Sequence, residues 1–232
     1  MPCSLILSEG TMKLGTIKIE ALKLMFANND DQLVISNRGN EDPDGTAPID
    51  LTQAAADPQY RDYLNNMNGS INRCFSVLEA RKILPTKRVV LLEEAEQNEY
   101  GKEIDLSTIT DLDDVQRVTA RGRNGFSSAV DYDMEADTMI LPFVRAGDTV
   151  AMIYYPQLAR LTQTADDNAE LPIPDKIATL IPYYVKYDLF REDDASEANA
   201  ALRRFEESLS EITERTESYQ SSVDHTVGFW GD

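Results

Sequence analysis

Apolar residues recur at threes and fours near both ends of the chain and at every second position in its middle. Thr16 to Ala27 (TIKIEALKLMFA) sets Ile17, Ala21, Leu24 and Met25 on one face, with Thr16 placed to cap a short helix. Asp57-Pro58 opens a second helix, because Asp accepts the free N–H groups of a first turn and Pro suits the first helical position. Tyr60, Tyr63, Leu64, Met67, Ile71, Cys74, Phe75 and Leu78 then form one apolar face, and the pattern predicts a helix to Ile83, closed by Pro85. Between the two helices lies a polar, turn-rich stretch over 28–56. Only Leu33, Val34 and Ile35 there read as a short strand, and so long a loop suggests a surface arm that orders against a neighbour.

The period changes to two after Pro85. Strands are expected over Arg88–Leu92, Glu103–Ile109 and Val115–Arg121, followed by a hairpin turn at Asn124-Gly125, where both residues tolerate positive φ. Phe126, Ser128, Val130, Tyr132 and Met134 alternate beyond it. A turn at Glu135-Ala136-Asp137 leads to Thr138–Leu141, and Ala146-Gly147-Asp148 leads to Thr149–Tyr155, stopped by Pro156. Short strands joined by tight turns predict an antiparallel meander or small sandwich rather than a parallel βαβ sheet.

The helical period returns with Ile177, Leu180, Ile181, Tyr184, Val185 and Leu189, a stripe that Pro182 should kink. Asp194 is a candidate cap for a last helix from Ala195 to Glu217, with Ala198, Ala201, Leu202, Phe205, Leu209 and Ile212 inward. The short connection predicts an antiparallel helix pair. The fold class is therefore α+β: a mainly helical body with an inserted antiparallel β region. The expected divisions are 1–86, helical with the long polar loop; 87–160, the β insertion; 171–217, the helix pair that completes the body; and 218–232, an extended tail.

Composition narrows the function. The chain has 232 residues, 41 acidic and 22 basic, for a net charge of −19. Phosphate backbones and anionic membranes are bound through clustered cations, so general affinity for either is disfavoured. No apolar run approaches the ~20 residues that span a bilayer. MPCSLILSEG lacks a basic start and a full apolar stretch, so no secretory signal is expected and synthesis in the cytoplasm follows.

Catalytic chemistry is hard to assemble from these residues. His225 is the sole histidine and falls in the segment expected to be a tail, away from any rigid scaffold for a triad. Cys3 and Cys74 make no disulfide framework, and Cys74 falls on an apolar helix face. No GxxxxGK[ST] or GxGxxG is present. Arg121-Gly122-Arg123-Asn124-Gly125 reads as a hairpin turn before it reads as a phosphate site. Acids cluster at Asp42 with Asp44, Asp111 with Asp113 and Asp114, Asp131 with Asp133, and Asp166 with Asp167. None has both the sixth-position Gly and the twelfth-position Glu of an EF-hand. Asp131 and Asp133, flanking Tyr132 in an alternating strand, would share one face, as an acid/base pair or simply as a solvated surface. No catalytic residue, metal or cofactor is assigned.

Two features point to partners. Tyr154, Tyr155, Tyr183, Tyr184 and Tyr187 form a tyrosine-rich set, of which Tyr183 and Tyr187 fall off the core stripe, and Tyr is enriched at interfaces. Val227-Gly228-Phe229-Trp230 places the only Trp beside a Phe where the local sequence offers no burial.

This order of parts resembles the head-to-tail adaptor proteins of tailed phages, also called neck or head-completion proteins. The resemblance is carried by the helices over Thr16–Phe26 and Tyr60–Leu78 and by a sheet insertion over Val115–Tyr155. Within the insertion it rests on the pair Val130-Asp131-Tyr132-Asp133 and Thr138-Met139-Ile140-Leu141-Pro142. It continues through Leu171-Pro172-Ile173-Pro174-Asp175 to Tyr187-Asp188-Leu189-Phe190 and then Ala195–Glu211, and covers most of 13–217. It implies a structural virion protein in the neck between capsid and tail, not an enzyme. It also implies a dodecameric ring beneath the portal that continues the DNA channel without binding DNA specifically and offers a platform to the next neck or tail protein. On that resemblance Val227, Phe229 and Trp230 would anchor the portal, and Tyr183, Tyr187, Leu33 and Ile35 would contact neighbouring copies. A tail-completion protein, an assembly chaperone and a hydrolase using only carboxylates for its metal are the alternatives.

Overall fold

The computed structural model describes residues 11–26, 51–93 and 99–226, and divides into two compact units. One is built from 1–76 and 160–232, the other from 77–159. Helices and antiparallel sheets together make an α+β fold.

The first unit contains β1 (Thr11–Lys13), α1 (Leu14–Phe26), α2 (Leu51–Ala56), most of α3 (Pro58–Ala80), β9 (Glu170–Pro174), α4 (Asp175–Ala178), α5 (Ile181–Phe190) and α6 (Ala195–Thr226). The expected caps form. Asp57 Oδ1 accepts from the Gln59 N–H at 2.9 Å, and Asp194 Oδ1 accepts from the Ser196 and Glu197 N–H groups, each at 3.0 Å. In α3, Tyr60, Met67, Ile71, Cys74, Phe75 and Leu78 of the expected apolar face are buried, while Tyr63 and Leu64 are half-buried. Phe26 links three helices of this unit. Its ring meets those of Tyr60, Tyr63 and Phe190 edge-on at 4.9, 5.2 and 6.0 Å, joining α1, α3 and α5.

Several boundaries differ from expectation for identifiable reasons. α1 starts at Leu14, so Thr16 lies in its first turn and does not cap it. Its start is fixed from outside, by the Leu14 and Gly15 N–H groups donating to the carbonyls of Ala169 and Asp167 at 2.9 and 2.8 Å. Residues 51–56, read as loop, form α2. α3 ends at Ala80 rather than Ile83, because Lys82 takes φ 52° and the chain turns there, before Pro85. Pro182 breaks the last-but-one helix outright. α4 stops at Ala178, and α5 restarts with Pro182 in its first turn, where the missing N–H costs nothing. Residues 170–174, most of them within the division expected as the helix pair, are a strand. Leu171 and Ile173 are buried and alternate with Pro172 and Pro174, and β9 pairs antiparallel with β1. α6 continues to Thr226, so 218–226, expected as part of the extended tail, are helical, and His225 falls within the helix.

The second unit holds β2 (Lys87–Leu92), β3 (Glu99–Asp105), β4 (Leu112–Arg121), β5 (Ser127–Val130), β6 (Asp133–Glu135), β7 (Thr138–Val144) and β8 (Thr149–Pro156). All pairings are antiparallel, in two sheets ordered β2-β8-β4-β5 and β3-β7-β6. Of the meander and the sandwich, the two-sheet arrangement is the one formed. The chain crosses between the sheets after β2, β3, β5 and β7, while β4–β5 and β6–β7 are hairpins within one sheet, and Leu106, Val118, Met139, Leu141, Val150, Met152 and Tyr154 form one core. The Asn124-Gly125 turn forms as expected, with Gly125 at φ 83° and the Gly122 N–H donating to the Phe126 carbonyl at 3.1 Å. The strand expected over 126–134 is interrupted at Asp131-Tyr132, and its two halves join different sheets.

Candidate functional site

Four carboxylates of the acid clusters, Asp111, Asp114, Asp166 and Asp167, have hydrogen-bond or ion-pair partners. Asp111 accepts from Lys87 Nζ and from the Tyr154 hydroxyl at 3.0 Å. The Lys87 hydrogen bond holds its carboxyl below the ordinary aspartate value, while burial and then Asp111 push Tyr154 up to about 12. Asp114 pairs with Lys82. Asp167 takes the buried Lys18 ammonium at 2.7 Å, and Asp166 turns back to the Asn168 N–H at 2.9 Å. Asp131 and Asp133 do not share a strand face, because Asp131 sits in the break between β5 and β6. Asp42 and Asp44 lie outside the described residues. Among the described residues no group of three or more His, Cys, Asp or Glu is placed to hold a metal ion. Cys74 is fully buried, and burial raises its thiol further out of the reactive range.

The tyrosines on α5 are half-buried and partly tied within their own unit. Tyr184 meets Phe205 and Tyr187 edge-on at 5.4 and 5.9 Å, and the Arg204 guanidinium lies 5.2 Å over the Tyr183 ring. Around them Arg73 binds Asp188, with Nε at 2.9 Å, and Lys186 Nζ reaches Glu197 at 2.9 Å. The Tyr63 hydroxyl donates to Asp193, and burial together with that carboxylate pushes Tyr63 up to about 12. These polar ties fix the surface that Tyr183 and Tyr187 present. Leu33, Ile35, Val227, Phe229 and Trp230 lie outside the described residues.

Sequence reasoning missed a second apolar surface. Phe126 is 78% exposed and Phe143 is 47% exposed, both in the β unit. Phe126 precedes β5, the outer strand of its sheet, and alternation cannot tell an outer strand with a bare face from a buried one. No helix among the described residues is long and apolar enough to cross a membrane.

Among the described residues the marked features are carboxylates in ion pairs and caps, half-buried tyrosines on α5 and exposed aromatics in the β unit. The chain matches the model of the SU10 adaptor protein family over residues 12–226, nearly its whole length. It belongs to that family, a phage head-to-tail adaptor family, which is structural rather than enzymatic. No curated protein matches the chain.

Proposed function

We propose that this protein is a virion component of the phage neck. Copies close into a dodecameric ring beneath the portal, continue the DNA channel and hold the next neck or tail protein. The family match over 12–226 carries this reading. The net charge of −19 supports a channel through which DNA slides without being held, since a surface poor in clustered cations gains little from counterion release. Within the ring, Tyr183 and Tyr187 contact the neighbouring copy, with Leu33 and Ile35 contributing from the arm. Val227, Phe229 and Trp230 seat in crevices of the portal.

Mass spectrometry of purified mature particles tests the reading. The adaptor is a stoichiometric component of the finished virion, whereas an assembly chaperone is absent from it. Removing residues 219–232 should weaken binding to purified portal rings; unchanged binding would overturn the anchor role of Phe229 and Trp230.

A further inference from the structure

The β unit contains a gap in its strand ladder. β6 pairs with β7 only from Glu135↔Thr138 to Asp133↔Ile140. Continuing that register would set Asp131 opposite Pro142 and Val130 opposite Phe143, but Pro142 has no N–H to donate, and the ladder stops. The chain then bends away through Asp131-Tyr132, and Ser127–Val130 pairs with β4 instead. Two stretches of strand edge are left bare among the described residues: the outer edge of β5 and the Leu141–Val144 edge of β7 that faces away from β3. Both border one cavity of about 500 Å3, whose lining includes Ser127, Ser128, Val130, Pro142, Phe143 and Arg145.

The surroundings say what fits. Ser127, Ser128 and Ala129 are small enough for another backbone to come close, and Phe126 and Phe143 stand exposed at the cavity. Arg145 lines it, and Arg121 and Arg123 flank the hairpin beside it. None of the three has an ion pair among the described residues, in a chain where acids outnumber bases 41 to 22. Asp131 and Asp148 line the cavity together with Arg145, so its own lining holds two carboxylates to one guanidinium, and Arg121 and Arg123 just outside bring the guanidiniums to three.

We infer that this slot accepts an extended, acidic segment of another protein, added as a strand along β5. Main-chain hydrogen bonds to the bare edge hold the segment, an apolar side chain covers Phe126 and Phe143, and its carboxylates meet Arg145, Arg121 and Arg123. The inference is independent of the ring and of the portal anchor.

Fluorescence anisotropy with the full chain provides the test. The probe is a labelled Glu-Val-Glu-Val-Glu-Phe peptide. Its controls are the same peptide with Lys for Glu and the acidic peptide N-methylated at alternate amides. The acidic peptide should bind at least about tenfold more tightly than either control, because the first loses the charge pairing and the second the strand hydrogen bonds. Arg145→Glu and Phe126→Asp, both at exposed positions, should each weaken it about tenfold with an unchanged circular dichroism spectrum. Three results would overturn the proposal: no binding of the acidic peptide, equal binding of the N-methylated form, or self-association of the chain that Arg145→Glu abolishes, which would give the slot to a second copy.

Discussion

Phe26→Ala and Phe126→Ala are the same chemical change at two positions whose surroundings differ completely. Phe26 is 7% exposed and edges onto three aromatic rings at 4.9–6.0 Å, whereas Phe126 is 78% exposed. Truncating a buried Phe removes its transfer free energy and leaves a cavity, together about 3–5 kcal/mol. The three ring contacts put Phe26 toward the upper end, because edge-on pairs add about 0.5–1.5 kcal/mol each beyond area. Truncating a bare surface Phe changes stability by about 0.5 kcal/mol or less. Urea unfolding followed by circular dichroism should therefore separate the two variants by at least about 2.5 kcal/mol at unchanged slope. Calorimetry should show Phe26→Ala melting roughly 6–20 °C lower. Phe26→Leu, which keeps most of the apolar volume and loses the rings, should fall between. If the two alanine variants unfold within about 1 kcal/mol of each other, Phe26 is not the centre on which α1, α3 and α5 pack.

Other expectations follow from single residues. Gly15→Ala places a methyl 3.0 Å from the Asp167 carbonyl oxygen, where backbone rather than a movable side chain is met, and should cost about 1–3 kcal/mol in the same unfolding assay. Tyr63 and Tyr154 have folded values raised to about 12 above an ordinary value of 10, so the stability they confer is complete below pH 10 and is lost as pH rises toward 12. Tyr154→Phe should shallow that alkaline loss, read as the unfolding midpoint against pH. Asp111 is shifted the other way. Its contribution is present above the ordinary aspartate value and is lost as pH falls through its lower folded value, so Asp111→Asn should blunt acid destabilisation. Duplex DNA should not be retarded by the chain in a gel at low salt, since an acidic surface offers no counterion release.

Signals that reside in neighbouring residues were legible in the sequence. Asp57-Pro58, Asp194, Asn124-Gly125 and the face from Tyr60 to Leu78 act within one or two turns of chain, and they form as the pattern predicts. What depends on distant partners was not legible. β1 is three residues long and exists because β9 pairs with it across some 160 positions, and the start of α1 is set by carbonyls at 167 and 169. Likewise, alternation over 126–134 signals a strand but cannot say that Pro142 will split it between two sheets, nor that Phe126 will be left bare. Tyr183 and Tyr187 were visible as off-stripe positions and Tyr184 as part of the stripe, but the ties of Tyr183 to Arg204 and of Tyr184 to Phe205 come from α6. The exposed edge beside Phe143 is a property of tertiary pairing, which no local period carries.

The ring itself is the central claim, and electron microscopy of the protein bound to purified portal rings addresses it most directly. The account predicts twelve copies closed around an open axial channel, continuous with that of the portal, with the α5 surface carrying Tyr183 and Tyr187 buried between neighbours. An isolated copy bound to the side of the portal, or an assembly with no axial channel, would contradict it.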